Sequence, residues 1–207
     1  MPLVLPNNFA QKFWHLASAH KGTQDNVFSQ SAYIEHNKLA KNLSGGVCMT
    51  LAMIWNSCRG SDGMFFEYIN TKKGKSKVQG VHSLYKIAGD KSLGSVNAVK
   101  EHLRNMGNRF VEKFKLGKNT NSGKSQVEIA DLAKSPGLYQ LHFWGKGGGH
   151  AIAFRCQPQG YKVFDPNAGT VTFPEFSMMT QFIDNLIANC YNDLASGWLA
   201  MKIDRKV

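Results

Sequence analysis

Three separated stretches carry groups whose types could act on one another: Ser44-Gly45-Gly46-Val47-Cys48 ahead of an apolar run, Gly147-Gly148-Gly149-His150-Ala151 opening an alternating run, and Phe164-Asp165-Pro166-Asn167-Ala168-Gly169 closing the next. A cysteine attacks a carbonyl only as its thiolate, so it needs an imidazole beside it, and that imidazole needs an acceptor to fix its orientation. Cys48, His150 and Asp165 supply nucleophile, base and orienter in that order along the chain. The chemistry is acyl transfer to sulfur. Taken singly, each residue has a plainer account. A cysteine in an apolar helix is most often a small buried hydrophobe, a histidine at a strand end most often holds one structural hydrogen bond, and Asp-Pro and Asn-x-Gly are turn chemistry. Their joint occurrence, with two glycines before the cysteine, favours the catalytic set.

The elements around these residues must deliver them to one place. From Val47 to Cys58 the chain is apolar almost all round, the pattern of a central buried helix. Cys48 then falls in its first turn, where the positive end of the helix stabilises an anion and unpaired backbone N–H groups can receive an oxyanion. Asn42, six residues upstream, can add a side-chain amide donor to that oxyanion hole. After Ser135-Pro136-Gly137 the period changes from helical to alternating, and 138–144, 150–155, 161–165 and 170–173 read as strands separated by Gly, Pro and Asn turns. Pairing around Gln157-Pro158-Gln159-Gly160, with residues symmetric about position 158 opposite one another, places His150 and Asp165 at the open end of one hairpin, within reach of each other as cross-strand neighbours. A one-residue slip would turn one side chain to the other face.

Elsewhere the spacing predicts a first helix over 8–20, a Gly-, Asn- and Ser-rich loop, and a short helix carrying Tyr33, Ile34 and Leu39. The middle third reads as helical: 65–70, 81–88, 95–106 capped by Ser95 and stopped by Gly107, and a turn or two over 126–133. A helix from Pro174 to about Asn189 and a last strand over 198–203 complete the chain. Helices first and sheet second make this α+β. Cys58, Cys156 and Cys190 lack a glycine-led helix start and read as structural; His82, His102 and His142 read as surface or core residues. Gly145-Lys146-Gly147-Gly148-Gly149 lacks the order of a phosphate-binding loop and reads as a flexible lip over the cleft. Trp55 and Trp198 read as core, and Trp144 is near enough in sequence to shield His150.

The 207 residues, 43% apolar and 19% charged, suit one folded domain spanning 1–207 with a sizeable core. The N-terminal stretch, Met1 to His20, has neither a basic segment before an apolar run nor a small-residue cleavage site, so no cleaved secretory signal is expected. Four scattered cysteines argue against a disulfide framework and a zinc knuckle, and predict reduced thiols at work in a reducing compartment. No cofactor and no metal are expected. The net charge is +11, from 25 Lys and Arg against 14 Asp and Glu, with clusters at Lys72, Lys73, Lys75 and Lys77 and at Lys113, Lys115, Lys118 and Lys124. These are solvated loops or an attraction to an anionic membrane surface. Nucleic acid is not expected as a partner, because the clusters are not interleaved with aromatics and match no reading module.

The Gly-Val-Cys with Trp55 seven residues on, the Gly149-His150-Ala151-Ile152-Ala153 strand and the Phe164 to Gly169 turn together resemble the YopT/AvrPphB family of papain-like cysteine peptidases, type III secretion effectors of bacterial pathogens. The resemblance spans about 40–170. It implies a papain-like α+β fold with the nucleophile helix packed against an antiparallel sheet, and a thiol protease in which Cys48, His150 and Asp165 form the triad and Asn42 serves the oxyanion hole. It further implies secretion by a bacterium without a cleaved signal and virulence activity inside the host cell, on a host protein as substrate; a monomer is expected. Family members that release prenylated GTPases act on polybasic tails, which a +11 enzyme would repel unless its cleft is locally acidic. Two alternatives share the same groups: a glutamine deamidase or transglutaminase using the same acyl-enzyme, and a catalytically dead papain-like module that only binds.

Overall fold

An apolar run with no polar side to offer water must be enclosed on all sides, and the molecule is built around such a run. A computed structural model describes residues 8–39, 43, 47–89, 108–118, 131, 133–146 and 148–205. In chain order they form α1 (Phe9–Ala19), β1 (Thr23–Val27), α2 (Gln30–His36), α3 (Cys48–Ser57), α4 (Asp62–Asn70), α5 (Lys72–Gly89), β2 (Asn108–Lys118), β3 (Gly137–Gly145), β4 (Gly148–Gln157), β5 (Gly160–Asp165), β6 (Gly169–Phe173), α6 (Phe176–Cys190) and β7 (Gly197–Arg205), with a short 3-10 turn at Asn192–Leu194. Ser29 and Ser61 cap α2 and α4, each accepting a hydrogen bond from the backbone N–H three residues on.

The strands make one antiparallel sheet in the order β1-β6-β5-β4-β3-β7-β2. Helices cover both faces. In β4 the period of two sends Ala151 and Ala153 to one face and Ile152, Phe154 and Cys156 to the other. The alanines leave room for α3 to lie close against the sheet, where Met49 to Asn56 are all buried. With α4 and α5, this helix encloses Phe164, Leu199 and Met201. On the opposite face α1 and α6 pack Phe13, Phe182, Ile183 and Leu186 against Phe154, Val163, Val171 and Phe173. The architecture is the α+β one predicted, and the meander β3-β4-β5-β6 follows the predicted strands closely. Among the described residues no helix is long and apolar enough to cross a membrane.

Three elements depart from the sequence reading. β1 stands where a loop is predicted; it is a polar, mostly exposed edge strand, so it carries no apolar alternation. β2 interrupts the middle third read as helical, and a register shift between Val111 and Phe114 breaks the period that would announce a strand. α5 begins at Lys72 rather than near Val81, because a first turn of Lys, Gly and Ser hides the helix. The helix predicted over 95–106 and nearly all of the turn predicted over 126–133 lie outside the described residues.

Asp62, the first residue of α4, clamps three strands to the helical face. It accepts hydrogen bonds from Trp55 Nε1 (3.0 Å), Asn26 Nδ2 (2.8 Å), Lys162 Nζ (2.8 Å) and Thr170 Oγ1 (2.9 Å). Burial alone would raise its pKa, but the bonds from Lys162 and Trp55 and the Lys162 charge outweigh burial and lower it.

Candidate active site

Cys48 is the first residue of α3, half-buried, whereas Cys58, Cys156 and Cys190 are buried. The preceding residue, Val47, is the N-cap but has no side chain with which to cap; its N–H instead donates to Gln30 Oε1 at 2.7 Å. The N–H groups of Cys48, Met49 and Thr50 have no acceptor within the helix, since helical bonding begins with Leu51 N–H to Val47 O. The helix start that carries the sulfur therefore has three N–H donors without helical acceptors. Ser44, Gly45, Gly46, Asn42 and Gly147 lie outside the described residues.

His150 sits near the start of β4 and Asp165 at the end of β5, both side chains without exposed surface. The hairpin between them turns on Pro158 and Gln159, with Gln157 opposite Gly160 and Ala153 opposite Phe164. This register is one residue from the predicted one, in which residues symmetric about position 158 face each other and Asp165 would fall across from Ala151, on the other face from His150. Continued to the open end, it sets Asp165 across from Ile152 and His150 across from Asn167. The histidine and aspartate are thus diagonal neighbours on one face, and side chains of this reach bridge that gap. Nε2 of His150 donates to Asp165 Oδ1 at 2.9 Å.

The turn that follows locks the carboxylate. Asn167 N–H donates to Oδ1 at 2.8 Å, and the Tyr191 hydroxyl donates to Oδ2 at 2.9 Å and lies 3.2 Å from Oδ1. Gly169 closes the turn at φ +122°, where an added Cβ would overlap Asn26 O, so no other residue fits. The Tyr191 ring stacks on His150, and Phe143 meets the imidazole edge-on with centroids 5.4 Å apart. Trp144, predicted to shield His150, faces the other way: Phe143 is the β3 residue opposite His150, and the Trp144 indole packs over Gly197.

With Nε2 engaged, Nδ1 is the ring nitrogen left for Cys48. It is buried and meets no hydrogen-bond partner among the described residues, so the sulfur beside it stops short of full bonding geometry. Such contacts are often loose before substrate arrives. Burial alone would pull the His150 pKa down; the Asp165 carboxylate first and the Cys48 sulfur next reverse that and raise it to about 10. The imidazole is therefore held as a cation, with Nε2 on the Asp165 carboxylate and the Cys48 sulfur as its second stabilising neighbour. Burial pushes the Cys156 thiol up to about 12, and burial with the Asp165 charge pushes Cys190 up to about 11, which keeps both protonated. Among the described residues no group of three or more His, Cys, Asp or Glu gathers to hold a metal.

The structure brings Cys48, His150 and Asp165 to one place. It adds Tyr191, Asn167 and Gln30, which the sequence reading leaves without a role. Asn167 lies within a quoted turn motif; Tyr191 and Gln30 give no signal in sequence, because only the fold brings them near.

The peptidase C58 family profile, described as Yersinia/Haemophilus virulence surface antigen, matches residues 15–198. A comparison with curated proteins finds no match. Among solved structures, the Pseudomonas avirulence protein AvrPphB aligns with a TM-score of 0.62 at 20% identity, over 80% of this chain and 95% of that one. A cysteine protease-like domain of the Photorhabdus asymbiotica toxin PaTox aligns with a TM-score of 0.48 at 13% identity, over 93% of this chain and 57% of that one. The YopT domain of the Pasteurella multocida PfhB2 toxin gives 0.31 at 15% identity, over 83% and 88%. The fold is papain-like.

Proposed function

Because the chain belongs to the peptidase C58 family, described as Yersinia/Haemophilus virulence surface antigen, we propose that it is a cysteine endopeptidase whose triad is Cys48, His150 and Asp165. One observation carries this reading: a fully buried imidazole is bonded through Nε2 to Asp165 at 2.9 Å and keeps Nδ1 unpartnered among the described residues, beside a thiol at a helix start. Cys48 Sγ attacks the scissile carbonyl, and the oxyanion that forms is received by the first-turn N–H groups of α3, with Asn42 as a further donor. His150 gives its proton to the departing amine, and a thioester remains. The imidazole then takes a proton from water as the hydroxide attacks that thioester, releasing the acid and restoring the sulfur. Asp165 holds the ring in one orientation throughout.

The same reading makes the protein an effector delivered from a bacterium into a host cell, where the reducing cytosol keeps Cys48 as a thiol and a particular host protein is cut. Lys72 and Lys73 are exposed and Lys75 and Lys77 half-buried at the start of α5, where cations oppose the helix dipole. An anionic membrane surface would offset that cost.

The test is a host lysate incubated with the protein and read by mass spectrometry of new N-termini. New termini that vanish with Cys48→Ala support the endopeptidase. Conversion of glutamine to glutamate without chain cleavage identifies a deamidase instead, and an unaltered lysate favours a binding module.

A further inference from the structure

A line of hydrogen bonds joins the start of the nucleophile helix to the carboxylate behind His150. Val47 N–H donates to Gln30 Oε1 (2.7 Å), Gln30 Nε2 donates to Asn167 Oδ1 (2.5 Å), Asn167 Nδ2 donates to Tyr191 Oη (3.0 Å), and the Tyr191 hydroxyl donates to Asp165 Oδ2 (2.9 Å). The two ends fix the direction. A backbone N–H can only donate and a carboxylate only accept, so each amide between them has a single orientation. All four bonds point toward the anion, and bonds aligned in this way polarise one another. Every side chain on the line is buried.

Gln30 is the member that crosses from one side of the site to the other. Its backbone belongs to the Asp165 turn: Gln30 N–H donates to Pro166 O at 2.7 Å, and Phe28 N–H donates to Ala168 O at 3.0 Å. Its side-chain oxygen holds the N-cap of α3, one residue before the sulfur. Valine cannot cap its own helix, so the cap comes from a residue bolted to the histidine-aspartate side. We propose that Gln30 is a positioning residue for Cys48, setting the distance of the thiol from His150 by tying the first turn of α3 to the Asp165–Asn167 turn. This inference rests on the catalytic reading given above. A displacement of about an ångström between reacting groups is enough to cost about a hundredfold in rate.

The experiment follows alkylation of Cys48 by iodoacetamide as a function of pH in the full chain, with each variant's thermal unfolding recorded beside it. Gln30→Met keeps the side-chain volume and removes both hydrogen bonds. Gln30→Glu keeps an acceptor for Val47 N–H and, once ionised, loses the donor to Asn167, so it decides the matter should the methionine variant not fold. The expected result is labelling at pH 6 slowed by about tenfold to a hundredfold, with the half-maximal rate moved to higher pH, in protein that is still folded at the assay temperature. A role in stability alone would lower the unfolding temperature and leave the labelling profile in place. Folded variants whose profiles superimpose on a wild-type profile that is itself sensitive to His150→Ala overturn the positioning role alone. A wild-type profile identical to that of His150→Ala overturns both the role and the catalytic reading beneath it.

Discussion

The Tyr191 ring lies nearly flat on the His150 imidazole, with centroids 4.6 Å apart and planes 20° apart, while its hydroxyl hydrogen-bonds the same Asp165 carboxylate that holds the imidazole. One residue therefore controls both the tilt of the ring and the position of its acceptor. Burial, then the Asp165 charge, raises the Tyr191 pKa well above its ordinary value, so the phenol remains a donor across the working range.

Tyr191→Phe keeps the stacked ring and removes the hydroxyl. Asn167 Nδ2 loses its acceptor and Asp165 Oδ2 loses its donor, so stability falls by about 1.5–3 kcal/mol, the range for a hydrogen bond to a charged group. Denaturant unfolding measures this loss. Peptidase turnover falls as well, with kcat more affected than KM, because the change lies behind the ring rather than in the substrate's path.

Asp165→Asn preserves shape but withdraws the charge opposing the imidazolium, and the amide can present its NH2 to Nε2. Turnover is expected to fall on the order of 10^3 to 10^4-fold, the scale for an orienting carboxylate converted to its amide. A loss of less than tenfold would mean that the ring is held by its neighbours alone.

His150 also links stability to pH. Its pKa, raised to about 10 from the ordinary 6.5, means the folded state binds a proton that the unfolded chain releases at lower pH. The stabilisation is complete below pH 6.5 and is lost as pH climbs through about 10. Wild-type unfolding free energy should therefore fall relative to His150→Gln over that window, as read from denaturant midpoints. A constant difference from pH 6 to 10 would contradict the raised pKa.

Asp62→Ala removes the clamp between α4 and the β1, β5 and β6 strands. Trp55 Nε1, Asn26, Thr170 and Lys162 each lose a bond, although Lys162 keeps Asp25 at 3.1 Å. The cost is about 2–4 kcal/mol at neutral pH. Since the folded pKa of Asp62 lies below the ordinary 3.8, this stabilisation is present above that pH and fades as pH falls through the folded value. The gap between wild type and variant should narrow in acid.

What could be read from sequence follows from how local each signal is. Cys48, His150 and Asp165 stand beside glycines, turn residues and runs of clear period, and the meander from β3 to β6 has short turns that nearly fix its own register. The one-residue difference in that register comes from a two-residue turn at Pro158 and Gln159, which moves the hairpin axis to between those residues and sets His150 and Asp165 on one face as diagonal neighbours. Closeness in sequence points Trp144 toward His150, but strand alternation gives that place to Phe143. β1 is hidden because an exposed edge strand needs no apolar alternation, and β2 because its bulge breaks the period. Gln30 and Tyr191 contact the site through partners 17 to 137 and 24 to 41 positions away, and no local pattern announces such contacts.

The central claim is that one of four thiols is activated by a buried, carboxylate-held imidazole. A thiol-directed epoxide applied at mildly acidic pH, with peptide mapping of all four cysteines, tests it most directly. The account predicts rapid modification of Cys48 alone, with Cys58, Cys156 and Cys190 untouched in the folded protein, and a rate reduced at least a hundredfold by His150→Ala, about 2.7 kcal/mol of activation. Comparable labelling of all four cysteines, or a Cys48 rate indifferent to His150→Ala, would contradict it.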